Sequence, residues 1–246
     1  MKLLYDIHTH TNYSHGKSTI EQMVQSAREK GLEAIYITEH AMNHHYAKHL
    51  NSEKYLEMKC EIERLRQKYD DIKIFFGTEA NFISTDGSLD IPDSDIEIYD
   101  VILAGFHVMC RMKSFKDFLK LKLMALLVNK LKFGFLSKLS EKYCTQAVMN
   151  ALDRYDIRMI THPMSNYRFD LRKVAEKCAQ KNTILEINNN RRLLNCEYIK
   201  SIKDIDVMFA VGSDAHNKND VAKVDEAVLI ALESGVIDRV VNISVN

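Results

Sequence analysis

Short apolar runs alternate with amphipathic stretches along all 246 residues, which is the signature of repeated β-α units around a parallel sheet. The pattern predicts seven or eight strands: Leu3 to about His8, Ala34 to Thr38, Ile72 to Phe76, Val101 to Ala104, Met159 to Thr161, Ile184 to Asn188, Val207 to Val211 and Val240 to Ile243. A helix is expected from Thr19 to Lys30, capped by Ser18 or Thr19 and ended by Gly31, and a charged one from Asn51 or Ser52 to about Tyr69. Phe82 to Asp90, with Asp86-Gly87 at its centre, reads as a small hairpin on the end of the third strand. A long helical excursion fills Phe115 to Tyr155. With two prolines and no linker-like composition, the expectation is one α/β domain over residues 1–246.

Composition narrows the partners. Hydrophobic residues make up 46% of the chain, enough for a core without cross-links, and Lys plus Arg equals Asp plus Glu at 34 each. No global field therefore recommends nucleic acid or an acidic membrane. Five widely spaced cysteines without a C-x-x-C pair argue against a disulfide framework and for a reducing compartment. The N-terminus turns polar by Asp6, and no run reaches the ~18 uncharged apolar residues of a membrane helix, so a cytoplasmic protein is expected.

Chemistry-bearing residues recur where apolar runs end. Asp6-Ile7-His8-Thr9-His10 places two imidazoles on one side of an extended chain. Thr38-Glu39-His40, Gly77-Thr78-Glu79, Gly105-Phe106-His107, Thr161-His162-Pro163 and Gly212-Ser213-Asp214-Ala215-His216 each put imidazole or carboxylate after a strand. A lone histidine there is usually structural, but every buried polar ring needs a partner, and six strand ends so furnished are hard to obtain by scatter. Barrel enzymes carry their active sites at the C-terminal ends of their strands.

The order H-x-H, H-G-K-S-T, I-T-E-H, G-T-E-A-N, A-G-F-H, T-H-P, N-N-N and G-S-D-A-H resembles the PHP (polymerase and histidinol phosphatase) family over nearly the whole chain. It is nearest the stand-alone, YcdX-like phosphatase branch. The resemblance implies a distorted, TIM-like (β/α)7 barrel and three divalent metal ions. Carried over residue by residue, it gives the first ion His8, His10, Glu79 and Asp214, with Glu79 bridging to a second held by His107 and His162, and a third held by His15, His40 and His216. Imidazole and carboxylate ligands without cysteine suit zinc, manganese or iron. Such a centre would supply a hydroxide between the first two ions as in-line nucleophile, with the third binding phosphate. A metal-bound water or the Asp214–His216 pair would protonate the leaving alcohol. Glu79, Asp214 and His216 are thus the expected catalytic residues.

Other residues are read alongside this set. Asp6 is expected to orient a ligand imidazole, and Asn188, Asn189 and Asn190 to line the pocket. Arg191 and Arg192 read either as a pair of which one steers phosphate through forked hydrogen bonds or as part of a solvated loop. Cys110 reads as a buried spacer, and His44, His45 and His49 as surface residues. Residues 111–142 form a basic insertion with nine Lys or Arg against two acids. It reads as an outer helix pair, a lid attracting anionic substrate, or a membrane-surface element.

Three function classes follow. The first is hydrolysis of phosphate monoesters of small metabolites, histidinol phosphate among them. The alternative is a PHP-type nuclease acting on single-stranded nucleic acid ends, and the third a metal-binding module without turnover.

Overall fold

In the computed structural model, which describes residues 1–47, 49–131, 134–191 and 194–245, the first expected strand is split at Leu4. Lys2–Leu3 (β1) turns outward and pairs antiparallel with Ile243–Ser244 (β9), while only Tyr5–Asp6 (β2) joins the main sheet. That sheet continues through Ala34–His40 (β3), Lys73–Asn81 (β4), Val101–Gly105 (β5), Met159–Ile160 (β6), Ile184–Asn188 (β7) and Phe209–Gly212 (β8), all parallel and in sequence order. Seven strands thus form the barrel, with the long helices outside.

Among the described residues no eighth strand closes it. Val240 makes a single parallel bridge to Phe209, and the buried Asn242 takes the place of a strand. Its Oδ1 accepts from the Val211 amide at 3.0 Å, and its Nδ2 donates to the carbonyls of Val211 at 2.8 Å and Tyr5 at 3.0 Å. One side chain therefore ties β8 to β2. At the opposite end of the strands a Thr9–Ala215 bridge and a 2.8 Å bond from the His10 amide to Ala215 O draw the same two strands together.

Alternation along the strands sorts the interior. Ile35, Ile37, Ile74 and Phe76 face the helices, whereas Ile7, Leu103, Met159, Ile184 and Ala210 fill the barrel floor. Above that floor the inward positions of β5 and β8 are Gly105 and Gly212. A methyl on Gly212 would overlap Glu186 Oε1, so the glycine makes room for an inward carboxylate. The next inward residues are His40, Glu79 and Asn81, and the site is the layer that follows the apolar floor.

The helix Ile20–Glu29 starts with a complete Thr19–Gln22 capping box, and Ser52–Lys68 with an Asn51 cap. The hairpin is present as a Phe82–Leu89 bridge. The long excursion is helical over Phe115–Asp117, Met124–Leu131 and Gly134–Arg154, with a π-helical stretch, Phe118–Leu123, between the first two. Leu121, Ala125, Cys144, Val148 and Leu152 bury into the main core. Part of its basic face is occupied: Lys113 pairs with Asp86 at 2.7 Å, Lys122 donates to Cys110 O at 3.0 Å and Lys120 lies over the Tyr143 ring. Lys132 lies outside the described residues. No helix among the described residues is long and apolar enough to cross a membrane.

Replacing Asn242 by Ala leaves the buried Val211 amide and two carbonyls without their partner. Each such loss costs on the order of 1–3 kcal/mol, so equilibrium unfolding of Asn242→Ala should show a loss of about 3 kcal/mol or more. A change below about 0.5 kcal/mol would mean that the closure does not depend on this side chain.

Candidate metal centre

Glu79 stands near the end of β4 on its inner face and is buried to 1% exposure. Its Oε1 lies 2.8 Å from His162 Nε2 and 3.4 Å from His8 Nε2. Its Oε2 lies 2.9 Å from His40 Nδ1, 3.4 Å from His107 Nε2 and 3.5 Å from His10 Nε2. Five imidazoles thus surround one carboxylate. Asp214 approaches from β8, with Oδ1 3.5 Å from His10 Nε2 and 3.8 Å from His8 Nε2.

The ring nitrogens face one another in a way that calls for a cation. His8 Nε2 and His10 Nε2 are 3.1 Å apart, as are His162 Nε2 and His107 Nε2. Two Zn–N bonds of ~2.0–2.1 Å at a tetrahedral angle span about 3.3 Å. His10 Nδ1, His40 Nδ1, Glu79 Oε2, His162 Nδ1 and His216 Nε2 are buried without a hydrogen-bond partner, the close His40–Glu79 approach being misaligned for one. Such orphaned atoms are rare in folded proteins unless something absent from the protein satisfies them. Ligand atoms converge within 4.8 Å in four groups: His8, His10 and Asp214; Glu79, His107 and His162; His10, His40 and His216; and His40, His44 and His107. The donor set fits divalent transition-metal ions.

Eight of the nine sequence-derived ligands enter these groups. The ninth, His15, packs its ring on His40 at 5.0 Å and on His216 at 4.2 Å, and it sits at the rim beside Tyr46.

A surrounding layer orients the rings, and the sequence reading missed most of it. Glu186, in the middle of β7, accepts from His8 Nδ1 at 2.8 Å and from the His162 amide at 2.5 Å. That bond directs His8 Nε2 toward Glu79. Asn81 accepts from His107 Nδ1 at 2.7 Å and is itself held by two 2.6 Å bonds to Asp90 beyond the hairpin. His216 Nδ1 donates to Asp214 O at 2.8 Å, leaving Nε2 free to bind. The signal for Glu186 was its place two residues before Asn188, on the inner face of an otherwise apolar strand. Asp6, expected to orient an imidazole, hydrogen-bonds the loop after β8 instead. It accepts from Ser213 Oγ at 2.6 Å and the Ala222 amide at 2.8 Å, fixing the loop that carries Asp214.

His162 and Asp214 adopt left-handed backbone, with φ of 29° and 51°. Such strain costs about 1–3 kcal/mol per residue and gathers at functional sites. His44, expected at the surface, is buried and stacked on His40. His45 and His49 are exposed as expected. Cys110 is buried, outside the four groups, and its thiol is pushed up by burial. Asn188 donates to Asp214 Oδ2 at 3.4 Å, and Arg191 Nε lies 3.4 Å from the same oxygen at the mouth. Arg192 lies outside the described residues.

Charge in the metal-free cluster is shared unevenly. Burial opposes protonation of His10, but Asp214, Glu39 and Glu79 outweigh it and push the ring up to about 9. His8 is likewise raised against burial, by Glu186, Glu79 and Asp214. Burial lowers His15 to about 4 and His44 to about 3. Glu79 overcomes burial through His107 and His8 and is held well below the usual carboxylate range. Raised histidines carry protons at pH 7, where the unfolded ring (pKa ~6.5) is mostly neutral. Their stabilisation of the metal-free fold is complete below pH ~6.5 and fades as pH rises through about 9 for His10. An incoming cation must displace those protons. Calorimetric zinc uptake at pH 7 in buffers of different ionisation enthalpy should therefore report release of at least one proton per chain, with affinity increasing toward pH 9. Affinity independent of pH between 6 and 9 would contradict this charge state.

A family model described as the PHP domain matches residues 6–190. A probable phosphatase of Thermoanaerobacter sp. is 30% identical over 98% of this chain and 90% of its own length, and one of Caldicellulosiruptor saccharolyticus is 31% identical over 92% and 85%. The crystal structure of histidinol phosphate phosphatase from Lactococcus lactis, complexed with Zn, L-histidinol and phosphate, shares the fold with a TM-score of 0.61 at 17% identity, over 96% of this chain and 95% of that one. A match spanning three quarters of the sequence, together with two relatives aligned nearly end to end, makes this chain a member of the PHP domain family.

Proposed function

We propose that this chain is a metal-dependent phosphatase that hydrolyses phosphate monoesters of small molecules. Three divalent transition-metal ions would be held by His8, His10, His15, His40, Glu79, His107, His162, Asp214 and His216. The observation that carries the reading is Glu79, whose two oxygens face different imidazoles and which contacts members of all the ligand groups. A carboxylate that bridges two ions would stand in such a position. The naming of both relatives as probable phosphatases supports the reaction class.

Bound there, such ions would neutralise phosphoryl oxygens and make water a nucleophile near neutral pH. The chain's own residues do the rest. Glu186, Asn81 and the Asp214 carbonyl hold His8, His107 and His216 in single tautomers, so that each offers a lone pair to the centre. His216, with Nδ1 committed to that carbonyl and Nε2 aimed inward, has no spare proton for the leaving alcohol. Asp214 would face the first ion as a carboxylate and so has none either. The proton then comes from water. Arg191 is 38% exposed at the mouth, beside Asp214, and presents its guanidinium to an entering phosphate dianion.

Histidinol phosphate is the first candidate substrate, because the Lactococcus lactis protein of similar fold was crystallised with L-histidinol and phosphate. The test is a panel of phosphorylated metabolites and labelled single-stranded oligonucleotides, with zinc, manganese or iron. Turnover of a monoester is expected; exclusive cleavage of oligonucleotides would move the assignment to the nuclease class. Glu79→Gln keeps the shape and removes the charge, so metal content and turnover should fall together, activity by roughly 10-fold or more, since even loss of a supporting hydrogen bond costs that much. Unchanged turnover in folded Glu79→Gln would remove Glu79 from the centre.

A further inference from the structure

The loop after β3 holds an imidazole for which the family ligand set has no role. His44 is only 4% exposed, and its Nδ1 has no hydrogen-bond partner. Its ring stacks on His40 with centroids 3.8 Å apart and meets the edge of His107 at 4.9 Å. Ligand atoms of His40, His44 and His107 converge within 4.8 Å. The position is built by backbone as well as by side chains. His44 forms an antiparallel bridge with Cys110, the His45 amide donates to Met109 O at 3.0 Å, and the Arg111 amide donates to Asn43 O at 3.0 Å. The loop carrying His44 is therefore clamped to the loop carrying His107.

A spacer filling this gap would need only bulk. An imidazole whose buried nitrogen has no partner is a poor spacer, because it loses its hydration and gains nothing in return. We propose that His44 is a metal ligand, completing with His40 and His107 an imidazole-only position for a divalent transition-metal ion. Three neutral nitrogens suit zinc, cobalt or iron and leave coordination sites open. His40 belongs also to the group with His10 and His216, and His107, whose Nδ1 is committed to Asn81, to the group with Glu79 and His162, so an ion held here is an alternative to those positions rather than an addition to them. The inference rests on the reading of the cluster as a metal centre and is independent of which ester is hydrolysed.

Cobalt(II) alone is the probe. Chelator-stripped full-length protein is titrated while visible absorption is followed, in wild type, His44→Phe, His44→Ala and the exposed-site control His49→Ala. His44→Phe keeps a flat ring against His40 but offers no nitrogen. The weakest cobalt step should weaken by roughly 10-fold or more in both His44 variants, with altered absorption, and stay unchanged in His49→Ala. Loss in His44→Ala but not in His44→Phe would assign a packing role and overturn the proposal. In case neither variant folds, the ¹⁵N resonances of the wild-type His44 ring are followed during zinc titration: a large shift of one ring nitrogen supports ligation, and none overturns it. A chain that binds cobalt through His44 yet hydrolyses no phosphate ester keeps this inference and loses the function proposed above. A working phosphatase whose cobalt steps ignore His44 does the reverse.

Discussion

A carboxylate enclosed by five imidazoles, at the top of an apolar barrel floor, is the constraint from which the rest of the molecule follows. Burying so many polar rings without water is unfavourable unless each nitrogen has a partner. Several here have none within the chain. The protein commits backbone strain at His162 and Asp214, a buried Glu186 and an Asn81–Asp90 relay to hold these rings in one arrangement. That outlay makes sense for a site preorganised around cations, because ligands already oriented lose little freedom when an ion arrives.

The barrel is shaped to the same end. Parallel strands bring their C-terminal ends to one rim, and inward alternation puts the candidate ligands one layer above Leu103, Met159 and Ile184. The absence of Cβ at Gly212 admits Glu186, which spans from the β6 loop to the β2 loop by taking the His162 amide on one oxygen and His8 on the other. Closure by Asn242 and by the Thr9–Ala215 bridge keeps β2 and β8 adjacent, and with them His8, His10 and Asp214. Fold and site are therefore coupled through a few hydrogen bonds.

Much of this was legible in the residue order. The strand-end motifs located eight residues that converge in the structure, because a ligand following an apolar run must lie at the rim of a parallel barrel. Strand lengths were less readable: β4 continues to Asn81, since Gly77, Thr78 and Glu79 lack apolar character yet still pair with β5. The split at Leu4 depends on pairing with Ile243, a contact across the whole chain that no local pattern encodes. Glu186 was hidden because a single polar residue inside a strand reads as solvent-facing. His44 reads as a surface residue for want of a strand, whereas the clamp between two loops buries it.

The measurement that bears most directly on this account is the metal content of the protein purified without chelator, by elemental analysis before and after reconstitution with zinc, manganese or iron. The account predicts two to three transition-metal ions per chain, because the four ligand groups overlap through His10, His40 and His107 and cannot all be filled at once. Fewer than one ion per chain, with none restored on reconstitution of folded protein, would contradict it.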